Sequence, residues 1–159
     1  MIQAIRETNF DAYINTEANR IDTSVTSAHI RHLVKFINDL DEAVFYAYAA
    51  IETINSRYTK LEFSYNTVPD MFSGRLNLIP AGYYKYELYE VSWIGSVSLT
   101  EDTAPDTETD VLPVENANGV VQGLVAIGKL YLAEKSGSEE VQYTEYTQPA
   151  STNTIYYGQ

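Results

Sequence analysis

Apolar and polar residues alternate along most of this chain with a period of two, the spacing of a strand that turns one face to a core. The pattern is densest over residues 80–95, which open on a Pro-x-Gly turn and hold the only tryptophan. Tyr84, Tyr86 and Leu88 share one face there, and Lys85 and Glu87 the other. Aromatic residues suit such a pleated, half-buried surface. Past Leu88 the apolar parity passes to Tyr89, Val91 and Trp93. That change predicts either burial on both faces or a bulge near 88–90 that turns the strand over. Tyr84, Tyr86, Leu88 and Trp93 are therefore the expected core of a central strand.

The same alternation places strands on either side. Residues 28–37 read as the first strong strand, with Val34 and Phe36 facing one way and Leu33 and Ile37 the other. Asn38, Asp39 and Asp41 predict a turn, and 43–48 the return strand of a hairpin. Alanine is the best helix former, so a helical turn is allowed over 49–54. Residues 57–65 set Leu61, Phe63 and Tyr65 against Tyr58, Lys60, Glu62 and Ser64, a strand buried on one side. A loop carrying Pro69 leads to a short strand at 75–79 with Leu76 and Leu78 inward. Residues 120–133 restore the core pattern, with Gly123 and Gly128 as bends or bulges. Residues 139–146 alternate again, and 155–157 suit a last strand.

Two stretches break the pattern. Residues 1–27 are polar and lightly patterned, either an N-terminal arm on a neighbouring subunit or an edge segment with a loop. Residues 100–119 form an acidic loop stiffened by Pro105 and Pro113, of a length that is usually functional or mobile. No internal repeat is present. Seven or eight strands at intervals of about ten to fifteen residues predict an all-β sandwich or barrel, and the sandwich is the expected form. The order Gly82-x-Tyr84-x-Tyr86 matches the sixth strand of an immunoglobulin-like sandwich, with Tyr84 as its tyrosine corner. The expected organisation is a single domain over 28–159 preceded by the 1–27 segment.

Composition narrows the function. At 159 residues and 45% hydrophobic, the chain can bury a core of its own. It has no cysteine, which excludes disulfides, thiolate metal sites and a thiol nucleophile. A net charge of −12 repels phosphate and anionic lipid, so no specific nucleic-acid binding is expected. The surface could still line a passage through which DNA slides. No apolar run reaches the roughly 18 residues that cross a bilayer, and no basic, apolar leader is seen. Synthesis in a cytoplasm, away from membranes, is expected.

Candidate chemistry is sparse. His29 and His32 would share a helix face, but on a strand they point apart, so they read as exposed hairpin residues and not as metal ligands. The acidic loop lacks the spacing and the glycine of a calcium loop. No phosphate loop, nucleophile elbow or zinc-protease motif occurs. Neither enzyme activity nor a cofactor is expected. Tyrosine offers amphipathic contact area at low entropic cost. Tyr143, Tyr146, Tyr156 and Tyr157 form the candidate exposed set, for a subunit interface or for stacking on a sugar. Phe10 and Tyr13 join them as interface candidates in the first segment.

Several stretches together carry a resemblance. They are His32-Leu-Val-Lys-Phe-Ile-Asn-Asp39, Ser56-Arg-Tyr-Thr-Lys60, Gly74-Arg-Leu-Asn-Leu-Ile-Pro-Ala-Gly-Tyr-Tyr-Lys-Tyr-Glu-Leu-Tyr-Glu90, Ala126-Ile-Gly-Lys-Leu-Tyr131 and the closing tract 141–157. From about Leu33 onward the chain resembles small β-sandwich virion proteins of tailed bacteriophages that infect Bacteroidetes. The resemblance implies a multicopy structural part of a virion, on the capsid or at the head–tail connector. Its partners would be copies of itself and other virion proteins. The alternative is a carbohydrate-binding sandwich that uses exposed tyrosines.

Overall fold

The computed structural model describes residues 1–114 and 117–137. The described residues are all-β, with nine strands in two sheets and three single-turn 3-10 segments. In chain order the strands are β1 (Ile2–Ile5), β2 (Phe10–Ile14), β3 (Ile30–Asn38), β4 (Val44–Tyr48), β5 (Ile51–Ile54), β6 (Thr59–Tyr65), β7 (Arg75–Leu76), β8 (Gly82–Ser92) and β9 (Val120–Ala133). The first sheet has the order β1-β9-β8-β3-β4 and the second β2-β6-β5, with β7 paired to β6. β1 runs parallel to β9, and β7 parallel to β6. The remaining pairs are antiparallel.

Residues 1–27, with the alternatives of arm and edge segment, supply one edge strand to each sheet. β1 pairs with β9 from Ile2↔Leu130 to Ile5↔Ala133. β2 pairs with β6 from Phe10↔Phe63 to Ile14↔Thr59. The helical turn allowed over 49–54 is replaced by strand β5. Ala50 donates its backbone N–H to Glu62 at 2.8 Å, and Ile51–Ile54 pairs along β6. Sheet pairing overrides the weak helix preference of two alanines. The strands expected at 139–146 and 155–157 lie outside the described residues.

The core between the sheets is built from inward residues of four long strands. Val34 and Phe36 of β3 and Tyr84, Tyr86 and Leu88 of β8 meet Leu61 and Phe63 of β6, with Leu130 and Leu132 of β9 alongside. Phe36 and Phe63 touch edge to face across the two sheets, with centroids 5.7 Å apart. Tyr84 is fully buried and donates its hydroxyl to the Pro80 carbonyl at 2.6 Å.

β8 resolves the change of parity. Its even residues stay inward along the whole strand, ending in buried Glu90 and Ser92. Its odd residues stay outward, and from Val91 they too are buried. The strand is thus buried on both faces and does not turn over. The irregularity belongs to β9, which carries Val125 as an extra residue opposite Leu88 and Tyr89, and Gln122 opposite Glu90 and Val91.

Candidate functional site

The outer face of the five-stranded sheet divides into a covered half and an open half. Strand register builds it row by row. Tyr83 lies beside Tyr131, Lys85 beside Lys129, Glu87 beside Ile127, and Tyr89 beside Leu124. On the β3 side, Lys35 lies beside Glu87 and Leu33 beside Tyr89. β4 completes these rows with Tyr46 and Tyr48.

The covered half is sealed by the segment between β8 and β9. Leu33, Tyr48, Val91, Trp93 and Ala104 form a buried cluster, with Val97 and Leu99 packed against it. Thr103 anchors the cover. Its carbonyl accepts the Trp93 indole N–H at 3.3 Å and the Gly119 backbone N–H at 2.7 Å. Tyr48 donates its hydroxyl to the Pro105 carbonyl at 2.7 Å, and burial pushes its phenol far above the ordinary range. A side chain at Gly119 would come within 2.6 Å of the Trp93 ring, so the tight lid over the indole requires glycine. The loop expected to be functional or mobile is therefore held to the sheet by specific contacts from Leu99 to Glu108.

An ionic clamp closes the boundary between the halves. Glu108 of the loop accepts from Lys35 Nζ, and from the Tyr46 hydroxyl at 2.5 Å. Tyr89 donates to Glu87 at 2.8 Å, and Lys85 to Glu87 at 2.5 Å. The Glu108 hydrogen bond raises the Lys35 ammonium above its ordinary value. Burial works against the Glu108 charge, but the hydrogen bonds from Lys35 and Tyr46 outweigh it and lower its carboxyl. The Lys85 hydrogen bond lowers the Glu87 carboxyl. Burial, then the hydrogen bond to Glu87, pushes Tyr89 up to about 12. The clamp chemistry is that of a fixed structural latch. Beyond it the loop and the start of β9 border an exposed groove of about 490 Å³ lined by Ile94, Val111, Val114 and Val120.

The open half exposes its apolar side chains. Tyr83 is 54% exposed, Tyr131 37% and Ile127 56%. The two tyrosine rings lie 4.9 Å apart and tilted by 41°. Lys129 reaches Asp39 at 2.5 Å beside them.

The residues named from sequence are placed as follows. Tyr84, Tyr86, Leu88 and Trp93 are buried. Phe10 is half-buried against Phe36 and Phe63, so its ring belongs to the core more than to an outer surface. Tyr13 is exposed, edge-on to Tyr58. Tyr143, Tyr146, Tyr156 and Tyr157 lie outside the described residues. His32 is corrected from exposed to buried. It sits inward on β3 and its Nδ1 lies 2.6 Å from Glu52 of the opposite sheet, which also accepts the His32 backbone N–H at 3.1 Å. Its parity is that of Val34 and Phe36, and a carboxylate partner makes burial affordable. Neighbouring Glu90 accepts the backbone N–H groups of Ile21 and Asp22, at 3.1 and 2.7 Å. His29 turns elsewhere, with Nδ1 2.5 Å from the Gly95 carbonyl. Among the described residues no three His, Asp or Glu side chains gather as a metal site, and no helix is long and apolar enough to cross a membrane. Sequence reading missed Tyr83, Tyr131 and Ile127. The available signal was the odd parity that Tyr83 shares with Lys85 and Glu87. No family model, curated protein or solved structure gives a significant match to the chain.

Proposed function

We propose that this protein is a multicopy structural component of a tailed-phage virion, carried on the capsid or at the head–tail connector. It is made in the host cytoplasm and works by assembly, not by catalysis. One observation carries the reading. Among the described residues, the loop between β8 and β9 seals half of a sheet face while the other half stays apolar and exposed, and exposed apolar patches mark contact surfaces. The resemblance over residues 33–159 supports the phage assignment. Copies of the chain and other virion proteins are the partners, while the −12 charge argues against a role in gripping DNA. The finer fold assignment in this reading is an immunoglobulin-like sandwich. It is supported by the strand orders β1-β9-β8-β3-β4 and β2-β6-β5 and by the Tyr84 hydroxyl on the Pro80 carbonyl. Mass spectrometry and electron microscopy of purified particles test the proposal. The expected result is the intact chain at many copies per particle, and its absence from particles would overturn the reading.

The Tyr83–Tyr131 pair favours a second reading, a carbohydrate-binding sandwich, because such rings can stack on a sugar. Calorimetry with neutral polysaccharides separates the two. Binding lost in Tyr83→Ala favours the sugar.

A further inference from the structure

We infer that the open half of the outer sheet face, centred on Tyr83, Tyr131 and Ile127, is the surface through which two copies of this chain pack face to face. The inference rests on the virion reading and names the partner of that same site.

Three observations choose a second copy as the occupant. The first is local charge. The chain as a whole is strongly acidic, at −12, so most approaches of one copy to another are repulsive. On the open half the signs cancel, Lys85 against Glu87 and Lys129 against Asp39. A two-fold operation can bring each lysine of one copy towards a carboxylate of the other, so the patch is complementary to itself. The second is composition. Ile5 and Ile127 are exposed on the same face as the two tyrosines, with exposed Leu124 farther along β9 beside Tyr89. Aliphatic side chains have no use for sugar hydroxyls, but with tyrosine they make the mixed apolar centre of a protein interface. The third is shape. The patch lies on three adjacent strands, β1, β9 and β8, and paired sheet faces interdigitate in this way within a sandwich. The covered half shows the same surface closed from within. There the chain's own loop packs on Leu33, Val91 and Trp93. On the open half a second copy takes the place of the loop.

Sedimentation velocity of the full chain, over the micromolar to high-micromolar range at physiological salt, is the test. The wild type is expected to pass reversibly from monomer to dimer with rising concentration. Ile127→Lys and Tyr131→Lys, each checked for an unchanged circular dichroism spectrum, should weaken dimerisation by about tenfold or more, equivalent to about 1.4 kcal/mol. Ile51→Lys, at an equally exposed position on the other sheet, should leave it unchanged. A wild type that stays monomeric overturns the inference. So does a dimer indifferent to both open-half variants, or one abolished by Ile51→Lys. A monomer that binds laminarin through Tyr83 assigns the patch to a sugar and overturns it as well. Particle composition separates this inference from the function it rests on. A chain that dimerises through this face but is absent from purified virions keeps the inference and removes the virion role. A chain that is present in virions yet monomeric keeps the role and removes the inference.

Discussion

The two halves of the outer sheet face share strand β8 and the parity of its odd residues, yet they have opposite fates. Near Trp93 the outward residues Leu33, Tyr48 and Val91 are fully buried. Near Tyr83 the outward tyrosines and Ile127 meet solvent. An antiparallel sheet can show one face to water, so an outward apolar residue is not in itself evidence of burial or of contact. What lies over it decides. Here the loop between β8 and β9 covers one half, and the cover stops at the Lys35–Glu108–Tyr46 latch. The covered half thus belongs to the fold, and among the described residues no segment covers the open half.

The sharpest way to break this comparison is Trp93→Ala. The indole is fully buried beneath the loop and donates to Thr103. Its removal should cost about 3–5 kcal/mol, as for other large-to-small core changes. Urea unfolding followed by circular dichroism measures the loss. A cost below about 0.5 kcal/mol, the usual scale for surface changes, would mean that the loop does not cover the face.

The latch comes next. Glu108→Gln removes the charge that Lys35 and Tyr46 both donate to, at an expected cost of about 1.5–3 kcal/mol, the range for a hydrogen bond to a charged group. The only tryptophan lies under the loop, so its emission reports the opening. The pH dependence follows from the shifts. The folded Glu108 and Glu87 carboxyls lie below their ordinary 4.5. Their contribution is fully present above pH 4.5 and is lost as pH falls through the lowered values. Lys35 is raised above 10.5, so its contribution holds below that pH and is lost as pH rises through the raised value. Trp93 emission should therefore be constant near neutrality and shift to the red in acid below pH 4.5. In Glu108→Gln that acid step should shrink. An identical acid step in wild type and variant would remove Glu108 from the latch.

A smaller effect is expected on the inner face, which runs beneath both halves. Tyr84→Phe leaves the ring in the core and deletes the bond to Pro80, for a loss of about 1 kcal/mol. Tyr84→Ala should lose several. Equal and negligible losses would sink the tyrosine-corner assignment.

The strands were legible in the sequence wherever one face alternated cleanly, as in β3, β6 and β8. The cover was not. Residues 100–119 are acidic and sparsely apolar, and they are held where the Pro105 carbonyl accepts from Tyr48 and Glu108 takes Lys35 and Tyr46, partners that lie far away in the chain. Periodicity cannot report such tertiary partners. β5 was obscured by alanines that favour helix in isolation. His32 was obscured because its Glu52 partner comes from the other sheet. The open half was visible in part, since Tyr83 falls on the charged face of β8. Tyr131 and Ile127 gained meaning only when register placed them beside Tyr83 and Glu87.

The smallest effect should come from Tyr83→Ala. In the monomer this ring packs on Tyr131 across the strand pair, a contact worth roughly 0.2–1 kcal/mol. Dilute protein should therefore unfold at nearly the wild-type urea midpoint, far from the shift in Trp93→Ala. Concentration sharpens the comparison. If a second copy covers the open half, the folded state gains stability by association, and that gain grows with protein concentration. The cost of Tyr83→Ala should then rise with concentration, while the cost of Trp93→Ala should not, because its cover belongs to the same chain. Unfolding midpoints at two well-separated concentrations decide it. Parallel behaviour of the two variants would show that both halves are closed from within, or that neither takes part in association.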